Sequence, residues 1–493
     1  MLKARVVLDR DFAIGAIDPR LYGGFVEHLG RCVYEGIYEP DHPGADADGF
    51  RTDVMELVRE LKMPVMRYPG GNFVSGYDWE DGVGPKEERP RRLDLAWRSL
   101  ETNEFGTNEF VDWCRKAGTE PMICVNLGTR GLDAARSWLE YCNHPGGTRW
   151  SDLRRKHGYP EPHGVGLWCL GNEVYGNWQM GQKSAAEYGR VAREAAKLMR
   201  LTDRSVELVL CGNDQPWNAR VLELAYDESD YLSIHQYFGQ GKDDTPAFLA
   251  RADSTGRFIE QTVATCDHVA AKLGKKRPMM IAFDEWNVWG HAPKEPRPKP
   301  ADWSVAAPHA ESRYTMEDAL AFGGMLIQLV NHADRVKIGC LAQLVNVIAP
   351  ILTAKGGPAW RQTIFYPFLH ASTLGRGVAL RPVVDSPTYE VGEGEQVSCL
   401  MAACVLEPES GAVTVFALNR GVEEELELTV DLRDFGELSD VEWTVLRHDD
   451  LDASNTQDAP DEVTPVGLDG AVLRDGVLSA SLPPVSWNVL RLT

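Results

Sequence analysis

The chain has 493 residues, too many for one small domain but enough for an α/β barrel of about 250 residues or more with a second domain beside it. Its 51 basic against 73 acidic residues leave a net charge of −22, which repels phosphate backbones and anionic lipid, so no nucleic-acid or membrane partner is expected. Hydrophobic residues at 43% and charged residues at 25% describe a folded chain, and no apolar run approaches the roughly 20 residues of a bilayer span.

In chain order, MLKARVVLDRDF carries a charge every few residues and does not read as a signal peptide; its KARVVLD portion reads as a strand ahead of the main fold. Eight short apolar, β-rich runs follow, at 21–26, 64–66, 122–125, 167–170, 207–210, 232–234, 279–283 and 338–341. They are apolar on both parities, as strands of a parallel sheet covered on both faces must be. Helix patterns lie between them. After Thr52 and Asp53, Val54, Leu57, Val58 and Leu61 repeat at helical spacing; Thr107 or Asn108 caps a helix ending at Gly118; Ser184 and Glu187 form a capping-box pair. The Pro-rich stretch 292–303 beyond the seventh run is long enough to be a lid or wall.

After residue 376 the helical period stops, and VSCLMAACVLE, AVTVFALNR, ELELTVDLR, VEWTVLRH and SWNVLRL read as strands. The expected architecture is a (β/α)8 TIM barrel over 15–375 and a jelly-roll-like β-sandwich over 376–493, joined by the N-terminal strand at 1–14; a six-unit open sheet is the alternative. Ten cysteines include no Cys-x-x-Cys pair, and Cys124, Cys169, Cys211 and Cys340 sit in apolar runs. Buried free thiols in a reducing compartment fit this usage, as does the absence of any Asn-x-Ser/Thr acceptor, so the cytoplasm is expected.

A barrel carries its site at the C-terminal strand ends. Those ends hold Glu27, Arg67 with Asn72, Asn126, Asn172 with Glu173, Asn213, His235 with Tyr237, Asp284 with Glu285, and Gln343. One such residue is often a helix cap; eight on one rim suggest a ligand rich in hydroxyls. Glu173 and Glu285 follow the fourth and seventh runs, placed to face each other across a ligand about 5 Å apart, the spacing of a retaining glycosidase. Trp178 and Trp289, with Trp168 and Trp286, are candidate faces for sugar C–H groups, although barrel-wall packing is the simpler reading of Trp168. The 12 histidines show no metal-binding spacing, and His28 and His235 read as hydrogen-bonding support rather than ligands. No Rossmann or P-loop pattern is complete, so neither metal nor cofactor is expected. Two close carboxylates resist double ionisation, which puts a proton on Glu173 and leaves Glu285 charged.

Five segments, GGFVEHLGRCVYEGIY (23–38), RYPGGNFVSGYDWEDGVGPKEERP (67–90), WCLGNEVYGNWQ (168–179), FDEWNVW (283–289) and QLVNVIAPI (343–351), resemble the α-L-arabinofuranosidases of glycoside hydrolase family 51. The resemblance implies an exo-acting retaining enzyme that removes terminal α-L-arabinofuranosyl units from arabinan or arabinoxylan oligosaccharides. It implies Glu173 as acid/base and Glu285 as nucleophile, with Glu27, Asn72, Asn172 and Gln343 binding the furanose. It implies Tyr237 as the residue that orients the nucleophile, and Arg67 and Trp289 as support for the pocket. It further implies an intracellular homo-oligomer, commonly a hexamer. One segment departs from the family's Met-Asp-Gly-Pro-Trp-Gln: here Val174-Tyr175-Gly176-Asn177-Trp178-Gln179 follows the acid, on the leaving-group side. Another retaining glycosidase on the same barrel (a β-xylosidase, endo-glucanase or galactofuranosidase) and a non-catalytic carbohydrate-binding protein are the alternatives.

Overall fold

The computed structural model describes residues 2–239, 241, 243–291, 303–436 and 438–493. Eight parallel strands close a barrel: β1 Gly23–Phe25, β2 Val65–Tyr68, β3 Glu120–Cys124, β4 Leu167–Leu170, β5 Glu207–Leu210, β6 Tyr231–Gly239, β7 Met280–Trp289 and β8 Val336–Ala342. Each of the eight expected runs is one of these strands. β1 pairs with β8 through Cys340 and Gly23, which closes the circle and rules out the open sheet. Small residues make that seam possible, because a Cβ on Gly23 would sit 2.5 Å from Val65.

Helices cover the outside. The helix Thr52–Glu60 begins two residues before the helical spacing that starts at Val54: its N-cap is Arg51, and Thr52 and Asp53 are already helical. Helix Thr107–Ala117 starts at Gly106, whose N–H is accepted by Glu109, and stops at Gly118, where φ is +77°. The Ser184–Glu187 capping box opens helix Ala185–Thr202. The barrel interior is filled by Phe25, Met122, Leu167, Val209, Ile338 and the small apolar side chains of Cys124, Cys169 and Cys340. All ten cysteines are buried and unpaired.

The C-terminal strands form two stacked sheets. One orders Val383–Asp385, Leu2–Val7, Leu426–Asp431, Val477–Leu482 and Val472–Arg474; the other orders Ala13–Ala16, Val378–Leu380, Leu400–Leu406, Val413–Asn419, Ser486–Leu492, Val441–Leu446 and Val466–Gly467. The opening strand lies parallel to Leu426–Asp431 with Val6 and Val430 in register, so the first residues of the chain join a sheet otherwise made by residues from Val383 onward. Between the sheets pack Val6, Leu428, Val415 and Leu490.

The second sheet turns its other face to helix Met316–Asn331, which is buried on nearly every side and precedes β8. Gly323 of that helix admits the ring of Trp487, where a Cβ would meet ring carbon at 2.6 Å. The acidic stretch 449–462 is only partly the solvated loop its charge suggests. The Leu451 and Ala453 carbonyls accept the N–H groups of Glu317 and Met316, supplying the unsatisfied donors of the helix's first turn, and Asp452 pairs with Arg313.

Candidate active site

The site lies where β4, β6 and β7 end. β4 is buried throughout and runs into Gly171, at φ +85°, and then Asn172 and Glu173. Glu173 itself has φ +40°, a conformation that costs a non-glycine residue about 1–3 kcal/mol and recurs where a side chain must be aimed. On the other side, β7 slips its register against β8 between Phe283 and Trp286, and β6 slips against β7 between Ser233 and His235. These irregularities break the strict alternation of a strand. The consecutive acids Asp284 and Glu285 therefore both reach the groups inside the mouth.

The result is a compact ionic cluster. One oxygen each of Glu173 and Glu285 and one nitrogen of His235 lie within 4.8 Å of one another. Glu285 accepts from Tyr237 Oη at 2.8 Å and from Arg67 Nη1 at 2.9 Å. Glu173 accepts from Trp178 Nε1 at 3.1 Å and Tyr175 Oη at 3.3 Å, and His235 Nδ1 lies 2.9 Å from its Oε1. Asp284 sits beneath, fully buried: His235 Nε2 is 3.3 Å away, Arg67 Nε is 3.1 Å away, and Ser233 Oγ donates to it.

Arg67 is the hinge of this arrangement. It lies over the Phe25 ring, spans Asp284 and Glu285, and donates from Nη2 to Asn172 Oδ1 at 2.6 Å. That bond fixes the amide of Asn172 so that its buried Nδ2 is left without a partner among the described residues. A buried donor left unmade costs about 1–3 kcal/mol, so Asn172 is primed for an acceptor that enters the pocket.

Burial opposes charge at His235, but Glu285, Asp284 and Glu173 around it outweigh that penalty and raise its pKa to about 10. Glu173 is affected in the opposite sense. Burial would raise it, yet the His235 imidazolium, Trp178 and Arg67 hold it below the ordinary carboxylate value. Two adjacent carboxylates alone would favour a proton on Glu173; with His235 between them, the electrostatics favour the imidazole instead. Asp284, buried against Arg67 and His235, falls to about 2. Among the described residues, Glu173, His235 and Glu285 are the one trio whose geometry could hold a metal ion, and Arg67 and protonated His235 already supply the positive charge there.

The opposite wall comes from β1 and β8. Glu27 and Gln343 pair reciprocally: Gln343 Nε2 donates to Glu27 Oε2 at 2.7 Å while the Glu27 N–H donates to Gln343 Oε1 at 3.0 Å. Burial, with Glu285 nearby, raises Glu27 to about 7 against the donors Phe73 N–H, Trp97 and Gln343. Gly70 and Gly71 serve this carboxylate rather than a turn alone, since a Cβ at Gly71 would lie 2.7 Å from Glu27 Oε2. Asn72 accepts from Gln179, which Ser75 holds in turn.

The nine residues that the family resemblance names are within this region: Glu27, Asn72, Glu173, Tyr237, Glu285, Trp289 and Gln343 line a cavity of about 260 Å³, with Arg67 and Asn172 just beneath. Trp178 and Trp289 are 58% and 47% exposed at the mouth, whereas Trp168 and Trp286 are core residues, the latter stacked on Phe322. Asn126 folds back to cap its own loop and takes no part. His28 is held by Tyr68 and Glu101 and stacks on Phe73.

Sequence reading missed Trp97, Gln179 and Tyr175 and understated His235 and Asp284. Trp97 comes from the hairpin Arg92–Asp94/Ser99–Glu101, an excursion no strand-end rule reaches, and it donates to Glu27 at 2.9 Å. The expected lid at 292–303 falls, but for its last residue, outside the described residues.

Comparison with known proteins gives the family. Residues 57–252 match the family model described as the α-L-arabinofuranosidase 1 domain, and 284–486 match the α-L-arabinofuranosidase C-terminal domain. Over its full length the chain is 54% identical to an intracellular exo-α-(1→5)-L-arabinofuranosidase of Halalkalibacterium halodurans, covering 99% of that protein. It is 52% identical to intracellular exo-α-(1→5)-L-arabinofuranosidase 1 of Bacillus subtilis, again covering all of this chain and 99% of the relative. A solved family 51 α-L-arabinofuranosidase from Bifidobacterium longum superposes with a TM-score of 0.94 at 40% identity, each chain fully covered. The chain is an exo-acting α-L-arabinofuranosidase and belongs to glycoside hydrolase family 51.

Proposed function

We propose that the enzyme releases terminal units from α-1,5-linked arabinan chains and arabinoxylan oligosaccharides by double displacement, with Glu285 as nucleophile and Glu173 as acid/base. The observation that carries this reading is the carboxylate pair with oxygens within 4.8 Å, in the range of the roughly 5 Å separation of retaining glycosidases. A cavity of about 260 Å³ is at the small end of ligand pockets and suits one sugar ring at a time.

Tyr237 and Arg67 fix the Glu285 carboxylate for attack on the anomeric carbon. As that C–O bond breaks, Glu173 passes a proton to the departing oxygen, leaving a glycosyl ester on Glu285. The Glu173–His235 pair carries this proton; it moves from Nδ1 to the carboxylate over 2.9 Å before transfer. Glu173, again a carboxylate, takes a proton from the incoming water as the water oxygen displaces Glu285, and returns that proton to His235 Nδ1, which restores the starting state. The free Asn172 Nδ2 suits the sugar 2-hydroxyl, while Glu27, Asn72 and Gln343 hold the remaining hydroxyls and Trp289 forms the outer wall.

The same reading gives a cytoplasmic enzyme of arabinan catabolism, assembled as a hexamer. Ten buried, unpaired cysteines and the naming of the relatives as intracellular support the location. Exposed Leu93 and Leu95 are apolar surface of the kind a subunit interface covers, and light scattering measures the assembly directly.

The roles are tested with 4-nitrophenyl glycosides and arabino-oligosaccharides. Dominant turnover of the α-L-arabinofuranoside is expected, with Glu285→Ala at blank level. Glu173→Ala should lose about 10²- to 10⁴-fold on oligosaccharides yet form the intermediate from the aryl substrate and be rescued by azide. Little loss in Glu173→Ala on an oligosaccharide would show that another group is the acid.

A further inference from the structure

A second concavity opens beyond Glu173. Tyr175 forms the divide. Its hydroxyl donates to Glu173, and the same side chain lines a groove of about 760 Å³ between the loop after β4 and the loop after β5. The groove combines an aromatic floor with a polar rim. Trp217 meets Tyr175 edge-on at 5.5 Å and is locked from behind by Tyr188, stacked at 5.6 Å, while Asn213, Gln182 and Arg220 stand at the edge.

Most rim groups are occupied by the fold. Gln182 donates to the Tyr175 carbonyl, Ser184 and Glu187 cap a helix, Asp214 caps the next, and Arg220 meets Glu223. Asn213 is different. Its backbone is tied to Asn218, but its half-buried side-chain amide makes no hydrogen bond within the described residues. An amide offering both donor and acceptor in the same groove as an apolar ring is what a furanose needs, with hydroxyls on its edge and C–H groups on its face.

We propose that this groove binds the acceptor portion of a linear arabino-oligosaccharide, with the first leaving-group sugar over Tyr175 and Trp178 and the next in the groove against Trp217 and Asn213. The proposal rests on Glu173 being the acid, since that fixes the side from which the chain departs. It makes Asn213 a specificity-determining residue that recognises chain length and takes no part in the chemistry. It also gives a role to the Val174–Gln179 departure, because Tyr175 is the residue shared by the acid and the groove.

The test compares kcat/KM for 4-nitrophenyl α-L-arabinofuranoside, α-1,5-arabinobiose and α-1,5-arabinotriose in the wild type, Asn213→Ala and the groove-filling Ala185→Trp. The wild type should prefer the trisaccharide to the disaccharide by about three- to tenfold, the worth of one or two net hydrogen bonds. Both variants should lower the ratio of trisaccharide to aryl substrate by a similar factor. Asn213 has no side-chain partner to lose, so its variant keeps the fold. Equal wild-type rates on the two oligosaccharides would overturn the groove, as would an unchanged ratio in both variants. Absence of turnover on the aryl arabinofuranoside would instead remove the catalytic reading, and the groove proposal with it.

Discussion

Arg67 and His235 decide how three carboxylates coexist in one mouth. His235 was visible in the sequence as a strand-end residue, yet its importance comes from Glu173, Asp284 and Glu285 meeting it from three directions, which only closure of the barrel produces. Its pKa of about 10 against an ordinary 6.5 means that the folded protein holds a proton there that the unfolded chain releases. That stabilisation is complete below about pH 6.5 and is lost as pH rises towards 10. The Tm of the wild type should therefore fall more steeply between pH 7 and 10 than that of His235→Gln, and parallel curves would contradict the charge assigned to the imidazole. Tyr237 gives a simpler case. Its hydroxyl donates to Glu285, and a bond to a charged group is worth about 1.5–3 kcal/mol, so Tyr237→Phe should cost about 10- to 100-fold in kcat/KM with the fold intact. A loss below twofold would mean that Arg67 alone orients Glu285.

At the scale of elements, the strands were legible because a parallel barrel buries both faces, and that doubles the apolar signal of each run. Glu173 and Glu285 were legible for the same reason, as charges placed abruptly after apolar strands. The hairpin that brings Trp97 to Glu27 was not, because LDLAWRSLE has no period and its meaning depends on where the loop lands. Nor were the strands Val472–Arg474 and Val477–Leu482, which sit in a Gly- and Asp-rich stretch that reads as turn. The loop after β4 is built on tight contact. Gly176 lies under the indole of Trp178, where a Cβ would approach ring carbons to 2.4–2.8 Å. Gly176→Ala should push Trp178 off Glu173 and remove a donor that helps hold that carboxyl down. The Glu173–His235 pair would then hold its shared proton to higher pH, moving the alkaline limb of kcat/KM upward. An unchanged pH profile would show that Trp178 does not tune the acid.

Across the whole molecule, barrel and sandwich are interwoven rather than strung together. The first strand of the chain lies between Val383–Asp385 and Leu426–Asp431, and helix Met316–Asn331 is enclosed by both parts, with Trp487 against Gly323 and the 449–462 loop over its N-terminus. The change of grammar near residue 376 marked the sandwich, but sequence could not reveal that an acidic loop would supply carbonyls to a barrel helix, because backbone acceptors leave no trace in residue types. This assembly holds β4 and β7 in fixed relation, and with them the two carboxylates on which the account depends. The most direct measurement is the intact mass, followed by peptide mapping, of Glu173→Ala treated with 4-nitrophenyl α-L-arabinofuranoside. One added pentosyl group, esterified to Glu285, is expected. A pentosyl group on any other residue, or a folded variant that turns the substrate over with inversion and no adduct, would contradict it.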